Sequence, residues 1–187
     1  MFREERTRPA FQWKNLGNIE EGRPNLGVMT SVAAYRLMQY TMRDVMIQRY
    51  GVDQADAVLG EAGKLAGAEF CKNLLDTKRD LDGFVSELKE KMLKLNIGIL
   101  QVEKIDLEKM ELVLTVSEDL DCSGLPVTDE TVCTYDEGFF AGILYAYLGK
   151  EFDVKEIDCW ATGERTCRFR ATVKQEERGW SSRTKHS

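Results

Sequence analysis

Apolar residues recur at helical spacing through the first half of the chain, after a polar opening stretch. The first predicted helix begins after Ser31, a residue type that caps helix N termini, and ends at Gly51. A second helix is predicted over residues 53–76, and a third begins near Asp80 or Asp82. The chain therefore starts with three helices in succession.

The period changes after the third helix. Residues 98–105 have an extended pattern, and residues 110–116 alternate apolar and polar side chains, with a link short enough for a hairpin. Residues 151–161 and 165–173 form a second predicted hairpin. Helices followed by a mainly antiparallel sheet, with one helix inserted, indicate an α+β fold.

The inserted helix follows a polar loop and is apolar on most sides, which predicts a central position. Thr134 and Glu137 have the spacing of a capping box, and Gly149 is a natural stop. Gly138 and Gly142 lie on one face of this helix, and the second helix carries three further glycines, Gly60, Gly63 and Gly67. We expect close helix packing there; room for a ligand is the alternative.

Composition indicates one globular domain. The 187 residues are 43% hydrophobic and 31% charged, and the net charge of −6 argues against a nucleic-acid partner. The N terminus is too charged for a signal peptide and no apolar run is long enough for a membrane span, so we expect a cytoplasmic protein. The predicted parts are an arm (1–28), a domain (29–175) and a disordered tail (176–187).

Five cysteines carry the candidate chemistry: Cys71, Cys122, Cys133, Cys159 and Cys167. An odd number in a reducing compartment favours metal binding or plain burial over a disulfide framework. Cys159 and Cys167 flank the last hairpin turn and are predicted to face each other, which suits a metal, a disulfide or two buried thiols. Cys133 could add a third ligand. Glu156 could add a fourth only if the strand bends or bulges before Cys159, because residues three apart in a regular strand face opposite ways.

The segment from Val132 to Arg170 resembles the 4-vinyl-reductase-like domain family. The resemblance rests on a combination: a cysteine, a glycine-bearing helix, Glu-x-x-Cys, a glycine turn and Cys-x-Phe. It implies a fold shared with vesicle-tethering subunits, haem-based nitric oxide sensors and the sensory domains of phenol-responsive regulators. It also implies a structural zinc ion held by Cys133, Glu156, Cys159 and Cys167, with Cys71 and Cys122 as ordinary buried residues.

The resemblance further implies a small hydrophobic ligand between the helices and the sheet, in a sensor or carrier. The expected lining is aromatic: Phe84, Phe139, Phe140, Tyr145, Tyr147 and Trp160. The only histidine, His186, lies in the predicted tail, which disfavours haem ligation.

Two other functions stay open. One is a part in reducing a tetrapyrrole vinyl group, although no dinucleotide fingerprint is present and four protein ligands leave no open zinc position, so an enzyme is not favoured. The other is an interaction scaffold, with Met38, Met42 and Met46 of the first helix at its surface. A homodimer is expected whichever function applies.

Overall fold

A computed structural model describes residues 10–106 and 108–174. Its helices are α1 (Ile19–Gly22), α2 (Val32–Tyr50), α3 (Val52–Leu74), α4 (Leu81–Lys94) and α5 (Thr134–Leu148), with short 3₁₀ turns at Trp13–Leu16 and Trp160–Thr162. Its strands are β1 (Ile99–Asp106), β2 (Glu111–Ser117), β3 (Phe152–Asp158) and β4 (Thr166–Val173). The strands form one antiparallel sheet in the order β1-β2-β4-β3. The predicted α+β fold is confirmed.

The first residues of α1, α2 and α4 are capped by a side chain, whereas those of α3 and α5 are not. Ser31 Oγ accepts a hydrogen bond from Ala34 N, and the Asp80 carboxylate caps α4. At α5, Cys133 occupies the N-cap position and the predicted capping box does not form. The Glu137 carboxylate instead accepts hydrogen bonds from two groups of β3, the backbone N of Glu156 and the side-chain Nζ of Lys155. Strand β3, which is distant in sequence, therefore occupies the Glu137 carboxylate that the capping box would have used.

Helices α3 and α5 pack with their backbones almost in contact. A Cβ atom at Gly63, Gly67, Gly138 or Gly142 would overlap backbone carbonyl oxygen of the facing helix. Gly60 differs, because its Cβ would meet Thr134 at an ordinary 3.8 Å. Close packing therefore explains four of the five helix glycines, as the sequence predicts.

Helix α5 contacts both α3 and β3, and the main core lies between it and the sheet. Phe140 of α5 meets Phe169 of β4 with ring centroids 5.2 Å apart. Helix α2 lies outside this core, and none of its 19 residues is fully buried. No helix in the described residues is both long and apolar enough to cross a membrane.

The opening arm touches α3 through Trp13, whose backbone N donates to Glu69 Oε2 at 2.8 Å. Phe11 and Trp13 are partly buried, whereas Leu16 is exposed. Residues 1–9 of the arm and the predicted disordered tail (176–187) lie outside the described residues, so the division into arm, domain and tail stays a prediction.

Candidate functional site

Four cysteine sulfur atoms meet at one end of α5. The Sγ atoms of Cys122, Cys133, Cys159 and Cys167 all lie within 4.8 Å of one another, and all four residues are buried. Cys133 Sγ is 3.8 Å from Cys159 Sγ and 3.9 Å from Cys167 Sγ, and Cys122 Sγ is 3.0 Å from Cys167 Sγ. Sulfur atoms bound tetrahedrally to one zinc ion at 2.3 Å are about 3.8 Å apart. The group is compatible with a metal site.

Separate elements bring these sulfurs together. Cys122 lies in the loop after β2, Cys133 caps α5, Cys159 follows β3 directly, and Cys167 lies in β4. The structure thus assembles three of the four ligands that the resemblance implies, and it adds Cys122. Cys71 is also buried but is not a member of the cluster, and burial raises the pKa of its thiol to about 11.

Glu156 lies beside the cluster rather than among its sulfurs. The β3–β4 register shifts between Glu156 and Asp158, which is the irregularity needed to bury Glu156 and Cys159 on one side. Glu156 Oε2 accepts a hydrogen bond from Cys133 N at 3.2 Å, and Oε1 has no hydrogen-bond partner in the described part of the chain. Burial, followed by the charge of Cys159, raises the pKa of Glu156 to about 8.

The four thiols share one hydrogen-bond network. Hydrogen bonds from Cys122, Cys133 and Cys167 lower the pKa of Cys159 far below its ordinary value. The same network, first through Cys122, raises the pKa of Cys133 well above its ordinary value. One thiolate is therefore stabilised by its neighbours at the expense of the others.

Helix α2 holds the loop that carries Cys122. Tyr35 and Gln39 donate to the Asp121 carboxylate at 2.9 and 2.6 Å, and Tyr40 donates to Asp121 O at 2.9 Å. Arg36 Nε donates to Leu120 O at 2.7 Å. The inner face of α2 is therefore polar and fixes the loop through its backbone and one buried carboxylate.

Three aspartates are buried next to the cysteines. Asp119 Oδ1 accepts from Asp121 N and Cys122 N, at 2.8 and 3.2 Å. Asp136, in the first turn of α5, has an Oδ2 atom without a hydrogen-bond partner among the described residues. Burial and the charge of Asp121 raise the pKa of Asp119 to about 7, and burial also raises the pKa of Asp136 strongly. No pattern in the sequence had indicated this cluster.

An apolar cavity of about 30 Å³ lies between α4, α5 and the sheet. Phe84, Phe140 and Tyr147, three of the predicted lining residues, surround it together with ten aliphatic side chains, among them Val102, Leu112 and Ile143. The Phe84 and Tyr147 rings stack at 3.7 Å with an interplanar angle of 7°. The cavity is in the predicted layer and is closed to anything larger than about one water molecule.

The other three predicted lining residues lie elsewhere. Phe139 packs edge-on against Phe70 of α3. Tyr145 is exposed near Lys64. The Trp160 indole N donates to Leu125 O at 3.0 Å, outside the cavity wall.

The comparison with known families tests the resemblance to the 4-vinyl-reductase-like family. Residues 112–173 match the 4-vinyl-reductase domain. The resemblance to the 4-vinyl-reductase family is thereby confirmed, and the match contains all four clustered cysteines but not Cys71. It runs from β2 to β4 and includes α5, so helices α1 to α4 lie before it.

Relatives extend the likeness beyond the matched domain. The uncharacterized protein MJ0150 of Methanocaldococcus jannaschii is 28% identical over 121 residues, which are 65% of this chain and 66% of that protein, slightly under two thirds of its length.

Two solved structures show the same fold. The phenol-responsive sensory domain of the transcription activator PoxR, with phenol, has a TM-score of 0.59 at 15% identity, covering 79% of this chain and 76% of that one. Subunit 3 of a trafficking protein particle complex from Naegleria fowleri, covalently bound to palmitic acid, has a TM-score of 0.61 at 12% identity, covering 77% and 95%. The fold is therefore one that small-molecule sensory domains use.

Proposed function

We propose that this protein is a sensor or carrier that holds a small hydrophobic molecule between α4, α5 and the sheet. The cavity there carries the proposal, because it is lined by aliphatic and aromatic side chains. Two proteins that share the fold were solved with phenol and with palmitic acid. Both ligands carry an apolar group, which suits the apolar lining of this cavity.

Binding requires the cavity to expand, because ligand pockets commonly measure about 300–1,000 Å³. Helix α4 is the wall best suited to move, since it packs mainly on β1. The Phe84–Tyr147 contact joins α4 to α5 in a nearly parallel face-to-face stack, an arrangement less favourable than an offset or edge-on pair. An apolar ligand between these rings would replace their weak contact with one better contact to Phe84 and another to Tyr147.

A fluorescent apolar probe, N-phenyl-1-naphthylamine, tests this site. We expect saturable binding of one probe per chain, lost in Val102→Phe, which fills the cavity from β1. Tyr145→Ala is the matched control, because Tyr145 lies outside the cavity, and it should bind as the unchanged chain does. Absence of saturable binding, or equal binding by Val102→Phe, would contradict the proposed ligand site.

We also propose that zinc joins the four cysteines as a closed structural centre. Thiolate donors favour zinc among the common divalent ions, and four protein ligands leave no position for substrate. The cytoplasmic location expected from the sequence would keep the thiols reduced. This ligand set uses Cys122 in place of Glu156, whose carboxylate would then orient Cys133 through its backbone N.

The two ligand sets differ in a measurable way. If four sulfurs bind zinc, Cys122→Ser lowers zinc affinity, measured by competition with a chelator, far more than Glu156→Gln does. If Glu156 is the fourth ligand, as the resemblance implies, Glu156→Gln lowers zinc affinity far more than Cys122→Ser does.

We further propose that the outer face of α2 pairs with a second copy of the chain. Four apolar side chains on this face are open to solvent: Leu37 (69% exposed), Met38 (57%), Met42 (54%) and Val45 (45%). Contiguous exposed apolar surface of this kind marks interaction sites. Sedimentation should show a dimer for the unchanged chain and a monomer for Met42→Lys; a monomer in both would remove the proposal.

A further inference from the structure

A second group of metal-ligating atoms lies against the cysteine cluster. One carboxylate oxygen of Asp119, one of Asp136 and the Sγ atom of Cys133 all lie within 4.8 Å of one another, and all three residues are buried. They come from the loop after β2, the N-cap of α5 and its first turn. Cys133 belongs to both groups, so the two groups meet at one sulfur atom.

Asp136 gives independent support for a ligand at this place. Its side chain belongs to a residue that is only 7% exposed, and its Oδ2 atom has no hydrogen-bond partner among the described residues. A buried carboxylate oxygen without a partner costs the full desolvation of that atom, so such atoms are rare in folded proteins. A cation held by Asp136 would supply the missing partner.

The surrounding charges also call for a cation. In residues 10–106 and 108–174, no ion pair reaches Asp119 or Asp136. Arg36 directs its guanidinium to the backbone carbonyls of Asp119 and Leu120 rather than to a carboxylate. Buried carboxylates are stable in their charged form only when they are paired or bound to metal.

We propose that Asp119, Cys133 and Asp136 bind a second divalent transition-metal ion, and that the Cys133 thiolate bridges the two ions. The inference rests on the proposed four-cysteine zinc centre for the first ion. One zinc ion with four thiolates and two carboxylates carries a formal charge of −4, and a second ion halves it. Mixed oxygen and sulfur donors suit zinc, and three protein ligands leave one position for water.

The simplest competing arrangement has one metal ion and two neutral carboxylic acids. In that arrangement the acids hydrogen-bond to neighbours and no second ion enters. The two arrangements differ in the number of ions that one chain binds, so the unchanged protein can distinguish them without any variant.

The experiment is a titration of the reduced, metal-stripped full chain with Co²⁺ and separately with Zn²⁺, with bound metal counted after gel filtration. We expect two ions per chain. The first Co²⁺ should give the strong thiolate charge-transfer absorption of a tetrathiolate site. The second Co²⁺ should add much less absorption, because its one sulfur ligand is the Cys133 thiolate, which it shares with the first ion.

Variants locate the second ion. Asp136→Asn and, as a second variant, Asp119→Asn should each bind one ion and keep the tetrathiolate spectrum. Asp153→Asn, an exposed aspartate of β3, is the matched control and should bind two. One ion in the unchanged chain would overturn the second site and leave the cysteine centre standing, whereas none would overturn both. Two ions in both Asp119→Asn and Asp136→Asn would place the second ion elsewhere and also overturn the proposal.

Discussion

The two halves of α5 are stabilised by different chemistry. At its N-terminal end, Cys133 and Asp136 are buried among thiols and carboxylates, with one acid oxygen left without a partner in the described part of the chain. In its C-terminal half, Ile143 and Leu144 are buried among aliphatic and aromatic side chains. The apolar half is stabilised by burial, whereas the proposed cation would compensate the charges of the polar end. One helix therefore carries the proposed metal site at one end and the cavity of the proposed ligand in its other half.

The largest expected effect comes from removing one cysteine of the cluster at the N-terminal end of α5. Cys159→Ser should lose the metal of the cysteine centre and lower the free energy of unfolding by about 5 kcal/mol or more, because metal-binding energy is folding energy when the site forms only in the native state. Elemental analysis and denaturant unfolding measure the two quantities. Cys71→Ser is the control: it should lose stability by about 1–3 kcal/mol for its buried hydroxyl and keep its metal. Full metal in Cys159→Ser would exclude Cys159 as a ligand.

The next effect tests the packing that both halves share. Gly67→Ala forces a methyl group into the backbone of α5 and should cost about 3 kcal/mol or more, measured by denaturant unfolding. Gly60→Ala is the matched control on the same helix, where the methyl fits and alanine should be neutral or stabilise by up to about 1 kcal/mol. Similar behaviour of the two variants would show that α3 and α5 are less tightly packed than their glycine contacts indicate.

A cavity variant should affect the apolar half alone. Ile143→Ala removes a buried side chain beside the cavity, so we expect a loss of about 2–5 kcal/mol in unfolding free energy with unchanged metal content. The enlarged cavity should also bind the apolar probe more tightly. Loss of metal from this variant would show that the two halves of α5 are not independent.

The metal-free protein should also show a pH dependence of its stability. Burial raises the pKa of Glu156 to about 8 and that of Asp119 to about 7, from ordinary values of 4.5 and 3.8. At these two acids the folded state binds more protons than the unfolded state between those limits, so their contribution to stability is fully present below about pH 4 and is lost as pH rises to 8. Denaturant unfolding with a chelator present measures this. The metal-loaded protein should show the opposite trend, because acid protonates the thiolates. A flat or rising profile for the metal-free protein would contradict the burial of these acids.

The sequence predicted the features that depend on local chemistry. Ser31 and Gly51 bound α2 because a cap and a stop act within a few residues. The α3–α5 contact was also predictable, because the spacing of Gly138 and Gly142 places both glycines on one helix face.

Features that depend on the path of the chain were not predictable in the same way. Cys122 lies in a loop with no spacing motif, and the pairing of β2 with β4, together with the loop's contacts to α2, brings it to Cys167. Its one signal was its place within residues 112–173, which match the 4-vinyl-reductase domain, together with zinc's preference for sulfur. The capping box of Thr134 failed because β3, distant in sequence, takes the Glu137 carboxylate.

The most direct test of the metal centre is the metal content of the purified full chain, measured by plasma mass spectrometry after dialysis, beside that of Cys122→Ser. We expect at least one tightly held zinc ion per chain, and a marked loss in the variant. A chain that holds no metal after reconstitution, and that unfolds identically with and without chelator, would contradict the account and leave four buried thiols at the end of α5.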